Sequence, residues 1–100
     1  MTYRNEATDL LFRAIGLLES DEECAAFLED LCTIREIQDM AQRLQTAILL
    51  SEGRNYQTIS SRAGVSTATI SRVSRALNYG SGGYGLVIGK LVSQGEGDEN

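Results

Sequence analysis

The chain has no histidine, no tryptophan and no proline, and only two cysteines and six aromatic residues among its 100 residues. Without histidine or a Cys-x-x-Cys pair, the sequence offers no familiar zinc site. Cys24 and Cys32 lie eight residues apart in a helical pattern, so we interpret them as small apolar side chains. No nucleophile elbow and no metal-spaced acids on a shared loop are present, so we expect neither an enzyme nor a cofactor or metal.

Long apolar runs and a targeting segment are also lacking. No stretch approaches the roughly 20 apolar residues that span a bilayer, and residues 1–6 lack the basic start and apolar core of a signal peptide. We therefore expect a cytoplasmic protein with no membrane partner. Its 100 residues, of which 42% are hydrophobic, correspond to one domain with a limited core of its own.

Acidic residues are missing from one long interval, although the net charge of the whole chain is −5. Residues 1–52 hold 11 acids and 4 arginines, a net charge of −7. Between Glu52 and Glu96 there is no acid, and this interval carries a net charge of +5 from Arg54, Arg62, Arg72, Arg75 and Lys90. Such an asymmetry indicates a surface that binds a polyanion on one part of the chain.

The same interval contains the residue pattern of a DNA-reading helix-turn-helix over residues 56–73. Ile59 and Ala63 share one face of a first helix, and Gly64 can adopt the left-handed conformation of a sharp turn. Val65 can fill the angle between the helices, and Ser66 can cap the second helix. In that second helix Ile70 and Val73 point inward, which leaves the outer face to Thr67, Ala68, Thr69, Ser71 and Arg72. A helix, a glycine turn and a second helix with an open N-terminal end can enter a major groove.

Two capping boxes organise the sequence before this motif. Ser20–Glu23 and Thr33–Glu36 each place a hydroxyl residue three positions before a glutamate, and each predicts a helix start. Gly53 is placed to end the longest helix. The apolar stripes of the three predicted helices are Ala7, Leu10, Leu11, Ala14, Leu17 and Leu18; Cys24, Phe27, Leu28 and Leu31; and Ile37, Met40, Ala41, Leu44 and Ile48.

The sequence after the motif is less decisive. The second motif helix continues to about Asn78, and residues 79–84 read as a flexible, glycine-rich break. Residues 84–92 predict either a short helix or a strand, since β-branched residues are frequent there. Residues 93–100 are rich in glycine and acid and predict a disordered tail. We therefore expect one helical DNA-binding domain over 1–92, with dimerisation helices over 1–53 and the helix-turn-helix over 56–78.

The three N-terminal stripes carry more apolar residues than one small module can hide. A second copy of the chain would cover the surplus, and a dimer matches two DNA half-sites. We therefore expect a homodimer that binds double-stranded DNA.

Three features together resemble the Trp repressor family, and within it the YerC/YecD-type branch. Thr33-Ile34-Arg35-Glu36 leads into a helix that ends Leu49-Leu50-Ser51-Glu52-Gly53, with Arg43 inside it. Gly64 is then followed, after two residues, by Thr67-Ala68-Thr69-Ile70-Ser71-Arg72. The resemblance covers roughly residues 25–80. It implies an all-α homodimer with intertwined N-terminal helices, and a regulator that represses transcription by occupying an operator.

The resemblance also implies roles for individual residues. Thr67, Ala68, Thr69 and Ser71 match base-proximal positions, and Gln57 and Thr58 match phosphate-contacting ones. The full predicted DNA-binding set is Gln57, Thr58, Ser66, Thr67, Ala68, Thr69, Ser71, Arg72 and Arg75. Thr33, Arg43 and Arg72 match the family's effector pocket. Val73 stands where the family's repressor has glycine, and Ala76 where it has serine, so we do not expect tryptophan as the effector.

The leading hypothesis is a sequence-specific, double-stranded-DNA-binding transcriptional regulator of repressor type, which reads the major groove with the helix that starts near Ser66. The alternative is a helical protein-interaction module without DNA affinity, whose acidic N-terminal half docks a basic partner. Salt-dependent binding to duplex DNA distinguishes the two.

Overall fold

The computed structural model describes the backbone of residues 2–98 and the side chains of residues 2–95. This part of the chain contains six α-helices and no strand, so the expected all-α class is confirmed. The helices are α1 (Glu6–Gly16), α2 (Asp21–Leu31), α3 (Ile34–Ser51), α4 (Tyr56–Ala63), α5 (Thr67–Tyr79) and α6 (Gly83–Asp98). The internal contacts divide the chain into two units, one extending to Ile37 and the other beginning at Gln38.

The first unit owes its helix starts to side-chain caps. The Thr33 hydroxyl accepts the N–H of Glu36 at 3.1 Å, and a Glu36 carboxylate oxygen accepts the N–H of Thr33 at 2.8 Å, so this capping box is confirmed. The backbone N–H of Thr33, and then its side chain, hold the pKa of Glu36 below its ordinary value. A third box, Asn5 with Thr8, starts α1 and was not predicted.

Of the two hydrogen bonds predicted for the Ser20–Glu23 capping box, the structure contains one. The Ser20 hydroxyl accepts the N–H of Glu23 at 3.1 Å, which confirms the cap of α2. The Glu23 carboxylate reaches one residue further back, to the N–H of Glu19 at 3.0 Å. Neither α1 nor α2 contains a buried residue, although both carry the predicted apolar stripes. Cys24 and Cys32 are free and half-buried.

The second unit is built on the C-terminal half of α3, where Thr46, Ala47 and Leu49 are buried. The buried Thr46 hydroxyl donates to the carbonyl of Gln42 at 2.7 Å, so burial leaves no polar atom of this residue unpaired. Two apolar clusters grow from this helix. One joins Leu49 to α4 and α5 through Ile59, Ala63 and Ile70, and the other joins Ala47 to α5 and α6 through Val73 and Ile88.

The second unit departs from the sequence-based expectations at its end. The sequence predicts either a helix or a strand for residues 84–92, and the structure shows a helix. Helix α6 forms there because it buries Ile88 against Ala47 and Val73. The flexible break expected over residues 79–84 is shorter in the structure, where only residues 80–82 separate α5 from α6. The tail expected over 93–100 is helical as far as Asp98, so residue 92 is not a helix end; residues 99 and 100 lie outside the described residues. No helix among the described residues is long and apolar enough to cross a membrane.

Two glycines with positive φ end helices as predicted. Gly53 (φ 80) follows α3, and the N–H of Arg54 returns to the carbonyl of Leu49 at 3.1 Å. Gly64 follows α4 with φ 68 and ψ 35, the left-handed conformation, and its N–H bonds the carbonyl of Ser60. A Cβ on Gly64 would meet its nearest neighbour, Gln42 Nε2, at 3.7 Å, an ordinary contact distance. Backbone conformation, rather than space, therefore selects glycine at position 64.

We predict that Gly64→Ala lowers the free energy of unfolding by about 1–2 kcal/mol, the cost of an L side chain in the left-handed region. Gly89→Ala is the matched control, because Gly89 lies inside α6 and a Cβ there would meet nothing within 4 Å. This control should raise the stability by about 0.5–1 kcal/mol. Urea unfolding of both variants measures the difference, and an alanine at position 64 that leaves stability unchanged would contradict the reason given for the turn.

Candidate nucleic-acid interface

Helices α4 and α5 form the predicted helix-turn-helix, joined by Gly64, Val65 and Ser66. Ile59 and Ile70 are fully buried between the two helices and the end of α3. Val65 is half-buried against the same cluster, as predicted for the residue that fills the angle. Ser66 caps α5 in extended backbone (φ −75, ψ 160), and its hydroxyl accepts the N–H of Thr69 at 3.2 Å. The apolar residues thus fix α5, and its cap leaves the first turn open to solvent.

The outer face of α5 carries most of the predicted DNA-binding residues. Thr69 differs from the rest: it is half-buried, and its hydroxyl accepts a hydrogen bond from the Ser66 hydroxyl at 3.2 Å. This bond leaves Thr69 less available for a base than its neighbours. The exposed members of the predicted set on this helix and its cap are Ser66, Thr67, Ala68, Ser71, Arg72 and Arg75.

The N-terminus of α4 forms a second exposed end beside the motif. Gln57 is exposed and Thr58 is half-buried. Asn55, which the sequence reading missed, caps this helix: its side-chain oxygen accepts the N–H of Thr58 at 2.8 Å. An Asn one residue before the apolar pattern is a recognisable start signal. Free N–H groups at such an end favour an anion such as phosphate.

The electrostatics of the motif are dominated by arginine. Among the described residues only two ion pairs form, Arg4–Asp9 at 2.8 Å and Arg54–Glu52 at 3.6 Å. The second pair is half-exposed, and pairs of this kind contribute little to stability. Arg72 and Arg75 carry no carboxylate partner within the part of the chain described, so their charge is available to an incoming polyanion.

A cleft of about 340 Å³ lies between the middle of α3 and the start of α5. It brings together two of the three predicted effector residues, Arg43 and Arg72, and has the buried Val73 in its wall. Thr33 is not among the lining residues; its hydroxyl caps α3 in the other unit. The remaining lining residues are Asp39, Gln42, Gly64, Val65, Ser66 and Thr69.

Asp39 and Gln42 were absent from the sequence-based site. Together with Arg43 they occupy positions i, i+3 and i+4 of α3, so helical spacing from Arg43 could have found them. Asp39 gives the cleft a negative group beside two positive ones, so the cleft suits a ligand that carries both charges.

Ala76, predicted to weaken this pocket, instead lines a separate apolar cavity of about 610 Å³. The other residues that line this cavity are Leu44, Gly80, Ser81, Gly83, Tyr84 and Val87.

The chain is similar to known proteins over most of its length. It matches the family described as Trp repressor protein over residues 6–92. It is 49% identical over 88 residues to the uncharacterized protein YerC of Bacillus subtilis (strain 168), covering 88% of this chain and 85% of YerC. A candidate Trp repressor from Staphylococcus aureus has a crystal structure with TM-score 0.84 and 48% identity, covering 88% of each chain. A TrpR-like protein from Eubacterium eligens ATCC 27750 has TM-score 0.85 and 46% identity, covering 88% of this chain and 91% of that one.

The matched region begins at the first residue of α1 and includes the whole helix-turn-helix. The two solved structures share the fold at close to half sequence identity. The resemblance drawn from the residues alone is thereby confirmed. The chain belongs to the Trp repressor protein family, in the branch that contains YerC.

Proposed function

We propose that this protein is a sequence-specific, double-stranded-DNA-binding transcriptional regulator of repressor type, and that it acts as a homodimer. The observation that carries the proposal is the exposed first half of α5, presented by a fixed turn within a segment that contains no acid. Membership of the Trp repressor family supports regulation through DNA binding. No part of the proposal requires a catalytic group.

The exposed side chains of α5 suit a major groove. The hydroxyls of Thr67 and Ser71 can donate to or accept from base edges, and the methyl group of Ala68 can contact a thymine methyl. Arg72 and Arg75 can reach phosphates or base edges on either side. Gln57 and Thr58, at the capped start of α4, can contact the backbone and fix the register of the duplex. Phosphate contacts would then supply affinity, and the first half of α5 would supply sequence preference.

Surface composition supports the dimer. Leu10, Leu17 and Ile34 are 61%, 71% and 61% exposed, an unfavourable arrangement for an isolated chain. Leu86 and Val92 on α6 are also exposed by more than half. A second copy is the partner that the expected two-fold operator requires.

The alternative, a protein-interaction module without DNA affinity, is supported by α2. This helix begins with Asp21, Glu22 and Glu23, carries Glu29 and Asp30 near its end, and contains no basic residue. An acidic surface of this kind can dock a basic partner. The arginines of α5 favour the DNA-binding proposal, and the salt dependence of binding decides between the two.

The first experiment uses duplexes that the purified protein selects from a random-sequence pool. With about six phosphates neutralised per dimer, the logarithm of the association constant should fall with log salt at a slope near −5. Arg75→Ala should reduce the magnitude of that slope by about 1 for each guanidinium removed. Arg13→Ala, in the last turn of α1, is the control and should leave the slope unchanged. Binding that does not vary with salt, or no selected sequence at all, would favour the interaction module.

The second experiment measures mass in solution by light scattering. The chain has a mass of 10.9 kDa, and we predict about twice that value at micromolar concentration. Leu44→Asp should convert the dimer to unfolded or monomeric protein, because an unpaired charge beside the apolar cavity costs several kcal/mol. Arg54→Asp, at an exposed position, controls for the added acid. A folded wild-type monomer would refute the dimer.

We further propose that L-tryptophan is not the effector. The side chain of Val73 is 3% exposed, packs against Ala47 and Ile88, and closes the wall of the cleft. Its branched side chain is stiff about χ1, so it cannot swing aside at low cost. Because Ala76 lines a different cavity, this argument rests on Val73 alone.

Calorimetry tests this proposal directly. Forcing a ring against Val73 should cost about 1–3 kcal/mol, a roughly five- to 150-fold loss of affinity, and we expect wild-type tryptophan binding weaker than about 100 µM. Val73→Ala should recover part of that loss, with about tenfold tighter binding for each 1.4 kcal/mol regained. Thermal melting confirms that the variant is folded. Tight tryptophan binding by the wild-type protein, or DNA binding that requires added tryptophan, would overturn the proposal.

A further inference from the structure

One side-chain hydrogen bond joins α4 to the turn that leads into α5, the proposed DNA-reading helix. Ser60 lies in the last turn of α4 and is half-buried. Its hydroxyl donates to the carbonyl oxygen of Val65 at 2.7 Å, across the turn. Its own carbonyl accepts the N–H of Gly64 at 3.0 Å. The hydroxyl and the carbonyl of this one residue therefore both hold the turn that leads into α5.

No other side-chain hydrogen bond joins α4 to the turn or to α5 among the described residues. The remaining contacts across the motif are the apolar ones of Ile59, Ala63, Val65 and Ile70. Apolar burial stabilises the pair of helices but has little directional preference. A hydrogen bond constrains distance and angle, so it can fix the direction in which the next helix leaves the turn.

The carbonyl that Ser60 holds lies immediately before the cap of α5. The Val65 peptide leads into Ser66, whose hydroxyl accepts the N–H of Thr69. Two hydrogen bonds, connected by the Val65–Ser66 peptide, therefore link Ser60 to the first turn of α5. That first turn carries Thr67 and Ala68, the exposed residues nearest to the cap.

We infer that Ser60 is a positioning residue for sequence reading, acting through Val65 and Ser66 and touching no DNA itself. The inference rests on the proposed DNA-binding function. Base contacts depend on distances fixed to a fraction of an ångström, whereas phosphate contacts with random DNA tolerate small rotations of α5. Loss of the Ser60 hydroxyl should therefore weaken binding to the selected sequence more than binding to random sequence.

The adjacent serine provides a matched control. Ser61 is exposed and donates no side-chain hydrogen bond. We expect Ser60→Ala to weaken binding to the selected duplex by about five- to tenfold, the worth of one hydrogen bond. Binding to random duplex and the salt slope should stay unchanged. Ser61→Ala should alter neither duplex, and Ser60→Thr, which keeps the hydroxyl, should retain the preference for the selected sequence.

A second measurement needs no DNA. Amide hydrogen exchange should become faster at Thr69 and Ile70 in Ser60→Ala, and stay unchanged at Leu49 in the core of α3. Equal weakening of both duplexes, or equal behaviour of the two serine variants, would overturn the positioning role. If the wild-type protein binds no DNA, the proposed function fails. The exchange experiment then still decides whether Ser60 orders the start of α5.

Discussion

Helix α5 is held by two inward-pointing side chains, Ile70 and Val73, which enter two different apolar clusters. Ile70 packs with Leu49, Ile59 and Ala63, and Val73, three residues later, packs with Ala47 and Ile88. Because both clusters grow from the C-terminal half of α3, the rotation of α5 about its own axis is fixed from two sides. With 3.6 residues per turn, this choice of inner residues forces Ala68, Ser71 and Arg75 outward. The exposed face of α5 is therefore a consequence of core packing.

Val73 connects that core to the cleft. One face of its side chain completes the cluster with α6, and the residue also lines the cleft beside Arg43 and Arg72. A smaller residue here would enlarge the cleft, but it would remove apolar contacts that hold both α5 and α6. A substitution of Val73 that makes room for a larger ligand in the cleft would therefore also destabilise helix α5.

Local signals made the helix-turn-helix predictable from sequence. Each of these signals acts over only a few residues: a glycine before a β-branched residue, a serine cap, and apolar positions three residues apart. The structure places Gly64, Ser66, Ile70 and Val73 as expected. The same holds for the Thr33 capping box. Helix α6 could not be predicted this way, because its valine, isoleucine and glycine content suits a strand or a loop as well as a helix. Packing of Ile88 against residues distant in sequence decided its conformation.

The cleft between α3 and α5 shows the same limit for a candidate site. The resemblance identified Arg43 and Arg72, but it gave no signal for Asp39 and Gln42, which reach the cleft only because α3 presents one face to α5. Ala76 was assigned to the cleft, but it lies about one turn further along α5 than Arg72 and Val73, and it lines the separate cavity beside the start of α6. Helical spacing places Ala76 on the same side of α5 as Arg72 and Val73, but it cannot tell where along that side one cavity ends and the next begins. That boundary depends on contacts with α3 and α6, which are distant in sequence.

The cleft and the outer face of α5 differ in the charges that line them. The segment from Gly53 to Gly95 contains no acid, so a phosphate that approaches α4 or α5 meets no carboxylate from either helix. The cleft differs because α3 contributes Asp39, which would repel a phosphate and attract an ammonium group. Arg72 belongs to both surfaces: it is exposed on α5 and lines the cleft. A carboxylate bound in the cleft would neutralise Arg72 and so weaken the attraction that we propose between Arg72 and the DNA backbone. Under the proposed function, any effect of a small anion in the cleft on DNA affinity would therefore pass through Arg72.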